Sequence, residues 1–155
     1  MSAIPPPATE PVISPKPLRA DARRNRELVL CAARECIGVA GVQAQIDEIA
    51  QRAGVGVGTV YRHFETKDAL IEALADEYFA AVAAEASAAL DLEDPWESFS
   101  SYIRRASELL AANRGLAQVA AEQPEVMKAA AERAAAELGF FDTMEEILRR
   151  AHAAG

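Results

Sequence analysis

The chain has 155 residues, 51% of them hydrophobic with alanine prominent, a formal net charge of −8 and an isoelectric point near 4.8. That length suits one compact unit or two small ones with a real core, and abundant alanine beside only 8 glycines points to an all-α protein. Overall acidity argues against nucleic acid, but residues 16–67 hold nine Lys or Arg against six Asp or Glu (+3), and residues 68–155 seven against seventeen (−10), with Glu10 completing the balance.

Residues 1–20, MSAIPPPATEPVISPKPLRA, are proline-rich. They have no apolar run long enough for a signal peptide or a membrane span and read as a disordered arm. The basic stretch Arg19, Arg23, Arg24 and Arg26 has two readings. It is either an arm that tracks phosphate or the minor groove, or the solvated start of the first helix. Cys31 and Cys36 lie five apart on one predicted helix, so their side chains diverge too far for a sound disulfide. Neither has His or Cys company for a metal. They read as small core residues in a reducing cytoplasm.

Residues 44–70, AQIDEIAQRAGVGVGTVYRHFETKDAL, carry most of the functional signal. Ile46, Ile49, Ala50 and Ala53 recur at helical spacing. Gly54 then stands where a helix end calls for a left-handed residue, and Val55 is placed to plug the angle to a second helix. That helix, about residues 57–64, buries Val60 and Phe64. Its other face presents Gly58, Thr59, Tyr61, Arg62 and His63, the donors and acceptors that a major groove rewards. GVGVGT also has the look of a phosphate loop. However, a helix precedes it, the spacing is G-x-G-x-G, and no Lys-Ser/Thr pair follows.

These residues resemble the tetracycline-repressor (TetR) family of bacterial regulators. The match is carried by Ile46-Asp47-Glu48-Ile49-Ala50, Ala53-Gly54-Val55, Gly58-Thr59-Val60-Tyr61-Arg62-His63-Phe64 and Lys67-Asp68-Ala69-Leu70. Val29-Leu30, Ala32-Ala33, Cys36-Ile37 and Gly41 fit the preceding helix. The resemblance covers roughly residues 23–75. It departs at Gly56-Val57, where the family often has Ser or Thr followed by Lys or Arg, and at Ala44-Gln45, where a hydroxyl is usual. Ile37 replaces an aromatic. The resemblance implies double-stranded DNA as partner, contacted by Gln45, Val57, Gly58, Thr59, Tyr61, Arg62, His63 and Lys67.

After Phe64, Thr66 is placed to cap a long helix with Leu70, Leu74, Tyr78, Val82, Ala86 and Leu90 along one face. Asp94-Pro95-Trp96-Glu97 opens the next with a cap, a proline at the first position and a reciprocal glutamate. Trp96, Phe99, Ile103, Ala106 and Leu110 form its apolar stripe. Asn113-Arg114-Gly115 breaks it, and a short helix runs to Gln123. Pro124 starts a last helix, about residues 125–153, with Val126, Leu138, Phe141, Met144 and Leu148 inward and Gly139 as a bend.

Seven of the nine aromatics fall in the acidic half. The resemblance implies that such helices enclose a small-molecule effector, with Phe79, Trp96, Phe99, Tyr102 and Phe141 as lining candidates; aromatic stripes at helical spacing equally serve as plain core. Relatives usually continue for about two more helices, which pair in a homodimer. Those last helices have no counterpart after Gly155, so the expected state is a monomer or a concentration-dependent dimer.

The sequence therefore reads as residues 1–20 arm, 21–66 helix-turn-helix head and 67–155 helical regulatory body. The function expected is a cytoplasmic, ligand-responsive repressor that binds a palindromic operator as a dimer, with no cofactor, metal or membrane. The alternative is a truncated helical interaction module with weak or no operator binding. Only two histidines are present, and no nucleophile, acid pair or metal-ligand cluster stands apart from ordinary helix-surface charge, so an enzyme is not expected.

Overall fold

A computed structural model describes residues 16–155, and every element in it is helical. α1 spans Lys16–Ala40 and passes through a tight helical turn, Gly41–Gln43, into α2, Ile46–Ala53. There follow α3 (Val57–His63), α4 (Lys67–Leu90), α5 (Pro95–Ala112), α6 (Arg114–Glu122), α7 (Pro124–Leu138) and α8 (Phe140–Ala153). Residues 16–20, read from the sequence as the end of an arm, belong to α1. The expectation for residues 1–15 lies outside the described residues. None of the described helices is long and apolar enough to cross a membrane.

Two apolar clusters organise these helices. The first joins Val29, Leu30, Ala33 and Ile37 of α1 to Ile49 and Ala50 of α2, Val60 of α3, and Leu70, Ile71 and Leu74 of α4. Leu116 and Val119 of α6 belong to it as well. The second joins Val82, Ala83, Ala86 and Ala89 of α4 to Tyr102, Ala134, Phe140 and Ile147. α4 therefore supplies both cores, and Tyr78 packs against each of them. Every fully buried large aliphatic contributes about 1.5–3 kcal/mol, so displacing α4 would disturb both clusters together.

Local signals in the sequence set the helix boundaries. The Thr66 hydroxyl accepts from the Ala69 N–H at 3.0 Å, and the Asp94 carboxylate accepts from the Glu97 N–H at 2.7 Å, each satisfying a free first-turn donor. Gly139, at φ 62°, ends α7 and starts α8. It breaks the predicted last helix in two, where a bend was expected. A left-handed residue cannot continue a right-handed helix, and α8 restarts in another register. Phe140 and Ile147 face inward, whereas Leu138, Phe141 and Leu148 are 52%, 53% and 50% exposed, against the sequence expectation.

α5 is rotated from its predicted stripe in the same sense. Ser98 and Tyr102 are buried, Phe99 and Ala106 half-buried, and Trp96, Ile103 and Leu110 stand on the surface. Cys36 is buried as expected, and burial pushes its thiol pKa up. Cys31 is exposed, so its reading as a core residue does not hold.

Candidate nucleic-acid interface

Gly54 closes α2 at φ 69°, its N–H donating to the carbonyls of Ala50 and Gln51, while the Val55 N–H returns to Ala50 at 3.1 Å. This left-handed cap turns the chain sharply, and half-buried Val55 fills the inside of the corner. Gly56 is the N-cap of α3; its carbonyl accepts from Thr59 at 2.8 Å and Val60 at 3.3 Å, with no side-chain cap. Glycine costs only a few tenths of a kcal/mol there relative to Ser or Thr.

With seven residues, α3 is too short to hold its shape alone. Val60, fully buried, and Phe64, 5% exposed, fasten it to α1, α2 and α4. The Arg26 guanidinium of α1 stands 5.3 Å from the centroid of the Phe64 ring. On the far face Val57, Gly58, Tyr61 and Arg62 are exposed, with Thr59 and His63 half-buried beside them. Among the described residues, the side chains of Thr59, Tyr61, Arg62 and His63 make no hydrogen bond or ion pair within the chain. A row of unengaged donors on a rigidly seated helix is what reading base edges requires.

The flanking candidates are placed differently. Gln45 precedes α2 and is exposed, its Nε2 donating to the Gln43 carbonyl at 2.7 Å without capping the helix. Lys67 is half-buried at the start of α4, and its ammonium donates to the Val42 carbonyl. It ties the turn before α2 to the first turn of α4, and two of its three donors stay available beside that helix N-terminus. Sequence spacing offers no sign of this tie, because the partner is a backbone carbonyl of a distant turn.

The five aromatics expected to line an effector site do not converge on one chamber. Phe79 lies between Tyr78 (5.3 Å) and Phe140 (6.4 Å), ring to ring. Tyr102 is buried and Phe99 half-buried, but Trp96 is 67% exposed, 5.6 Å from Phe99, and Phe141 faces outward. Burial raises the hydroxyl pKa of both Tyr78 and Tyr102. A small gap of about 10 Å³ at the joint of α1, α4 and α6, lined by Arg34, Ile37, Leu74, Asn113, Gly115 and Leu116, is too small for anything beyond a water.

A short α3 with a free polar face, seated by α1 and α2 and followed by a long helix into a second core, defines a helix-turn-helix DNA-binding protein with an attached helical body. The sequence model of the bacterial regulatory proteins of the tetR family matches residues 29–74. A TetR transcription regulatory protein from Mycobacterium vanbaalenii is 40% identical in sequence, with 90% of this chain and 82% of that one superimposing at a TM-score of 0.69. The fatty acid degradation regulator FadR from Bacillus halodurans shares the fold, with a TM-score of 0.67 over 84% of this chain and 70% of that one at 23% identity. An HTH-type transcriptional regulator of Staphylococcus aureus (strain MRSA252) is 38% identical over 61 residues, 38% of this chain; the match spans 32% of that relative. The chain belongs to the TetR family of transcription regulators.

Proposed function

We propose that this chain is a one-component, ligand-responsive repressor that binds a palindromic operator as a dimer. The observation that carries DNA reading is the outer face of α3, where Thr59, Tyr61, Arg62 and His63 lack partners within the described chain while Val60 and Phe64 hold the opposite face. Thr59 and Arg62 read base edges, and Val57 offers its methyls to thymine. Tyr61, His63, Gln45 and Lys67 hold phosphates, and Gly58 lets the backbone come close.

Pairing two heads requires a self-complementary apolar patch. The outward Leu138 at the end of α7 and Phe141 and Leu148 of α8 supply one, and two linked heads bind far more tightly than either alone. An effector would enter between α4, α5 and α8, where Phe79, Phe99 and Tyr102 stand, with Trp96 and Phe141 at the rim. By preferring a state with α4 displaced, it would change the separation of the heads. The activity is regulatory rather than catalytic and belongs in the cytoplasm, where the DNA is.

One observation favours a second reading. Trp96, Ile103 and Leu110 form an exposed apolar row at seven-residue spacing on α5, a face suited to a protein partner. A helical interaction module would bind duplex DNA weakly or not at all. Titration of duplexes at two salt concentrations separates the readings: specific, steeply salt-dependent binding supports the repressor, and its absence supports the module.

A further inference from the structure

Glu77 of α4 receives two arginines of α1, Arg34 through Nη2 at 2.9 Å and Arg26 through Nη1 at 3.8 Å. The same Arg26 covers the ring of Phe64. Phe64 is the residue on which α3 ends, its N–H donating to the Val60 carbonyl at 2.9 Å. One residue earlier on α4, the Asp76 carboxylate accepts from Arg133 Nε of α7 at 2.9 Å. Adjacent carboxylates of α4 thus grip α7 on one side and α1 on the other.

Arg26 is exposed on α1, as the solvated reading expects, but it is not without partners. Its guanidinium lies between a carboxylate and an aromatic face, both of which attract a cation. The Arg26 and Glu77 side chains are 45% and 39% exposed, so the pair adds little stability. What it fixes is geometry. We propose that Arg26 is a positioning residue for base recognition: held by Glu77, it clamps Phe64 and so sets the end of α3 that carries Arg62 and His63. This rests on the DNA-reading function proposed above. It also connects α4 with the reading helix, because Glu77 and Phe64 share Arg26.

The clamp and plain electrostatics predict opposite signs for one variant. Removing an anion from a DNA-binding head tightens binding to every sequence if only charge matters. If Glu77 acts through Arg26, Glu77→Gln weakens binding to the preferred duplex by about two- to fivefold and leaves a scrambled duplex bound as well or better. The probe is a duplex selected by the native full chain from a random-sequence pool. Arg26→Met should lose a similar factor with the salt slope unchanged, and the double variant should lose no more than Arg26→Met alone. Tighter binding of both duplexes by Glu77→Gln, or a salt slope lowered by about one in Arg26→Met as for a direct phosphate contact, overturns the proposal. Amide exchange at residues 60–64 of the free chain gives a readout without DNA. Both variants should speed it, and unchanged exchange refutes the clamp. A native chain that selects no duplex refutes DNA reading instead, and exchange alone then decides on the clamp.

Discussion

Gly115 of α6 sits so close to Ile37 of α1 that a Cβ at Gly115 would lie 2.5 Å from the Ile37 carbonyl oxygen and 2.8 Å from the Gly38 nitrogen. The absent side chain lets a body helix rest on the backbone of the head, where Leu116 and Val119 reach the first core. A second glycine guards the same joint: Gly41, at φ 57°, packs under Gln118, and a Cβ there would meet its side-chain amide at 1.9 Å.

Gly115→Ala should therefore destabilise the chain, although alanine ordinarily improves a helix. Backbone cannot yield as a flexible side chain does, so α6 must lift, at about 1–3 kcal/mol. Urea unfolding followed by circular dichroism measures it. An unchanged or raised midpoint would mean that α6 does not rest on α1.

Gly58 gives the opposite pattern. A Cβ there meets nothing within 4 Å, so Gly58→Ala should raise stability by about 0.5–1 kcal/mol. It should nevertheless reduce DNA affinity, because the methyl stands on the face that approaches the duplex. Equal or better DNA binding by this variant would remove Gly58 from the interface.

Arg150 of α8 donates Nη1 to the Leu90 carbonyl at 2.7 Å and Nη2 to those of Leu92 and Glu93 at 2.7 and 3.0 Å. It satisfies the carbonyl of the last α4 residue, where the helix dipole also favours a cation, and two carbonyls of the connection to α5. Hydrogen bonds from a charged donor contribute about 1.5–3 kcal/mol, so Arg150→Ala should lower unfolding stability by that order, with DNA contacts untouched.

The thiols should differ in reactivity. Cys31 is exposed, whereas Cys36 is buried with its pKa raised, so less of it is thiolate at neutral pH. Brief iodoacetamide treatment should add one adduct, at Cys31, with the second appearing only in denaturant. Preferential labelling of Cys36 would contradict its placement.

The exposed row on α8 predicts the oligomeric state. Phe141→Asp and Leu148→Asp should shift sedimentation towards monomer and weaken operator binding, while leaving helicity intact. If both variants sediment as the native chain does, the pairing face lies elsewhere.

The head was legible in the sequence because its signals are local. Gly54 and Thr66 set helix ends within a few residues of themselves, and Ile49, Ala50, Val60 and Phe64 are buried at the spacing the sequence shows. The body was legible as helices but not in their rotation. α5 offers Trp96, Ile103 and Leu110 on one stripe and Ser98 and Tyr102 on the neighbouring one; periodicity finds an apolar face without saying which stripe meets the core. The inward face of α8 does not continue that of α7, because Gly139 ends one helix and shifts the phase of the next. The pairing of Glu77 with Arg26 was hidden for a third reason: charge partners far apart in sequence leave no spacing to read.

Selection of duplexes from a random pool by the native chain, repeated with Arg62→Ala and Lys67→Ala, tests base reading by α3 most directly. The native chain should enrich a palindrome whose half-sites lie about one helical turn apart. Arg62→Ala should lose about 1–3 kcal/mol on that site and relax its selectivity, whereas Lys67→Ala should weaken all duplexes alike. Failure to enrich any sequence, or an Arg62→Ala variant that enriches the same palindrome with the same affinity, would contradict the assignment of α3 as the reading helix.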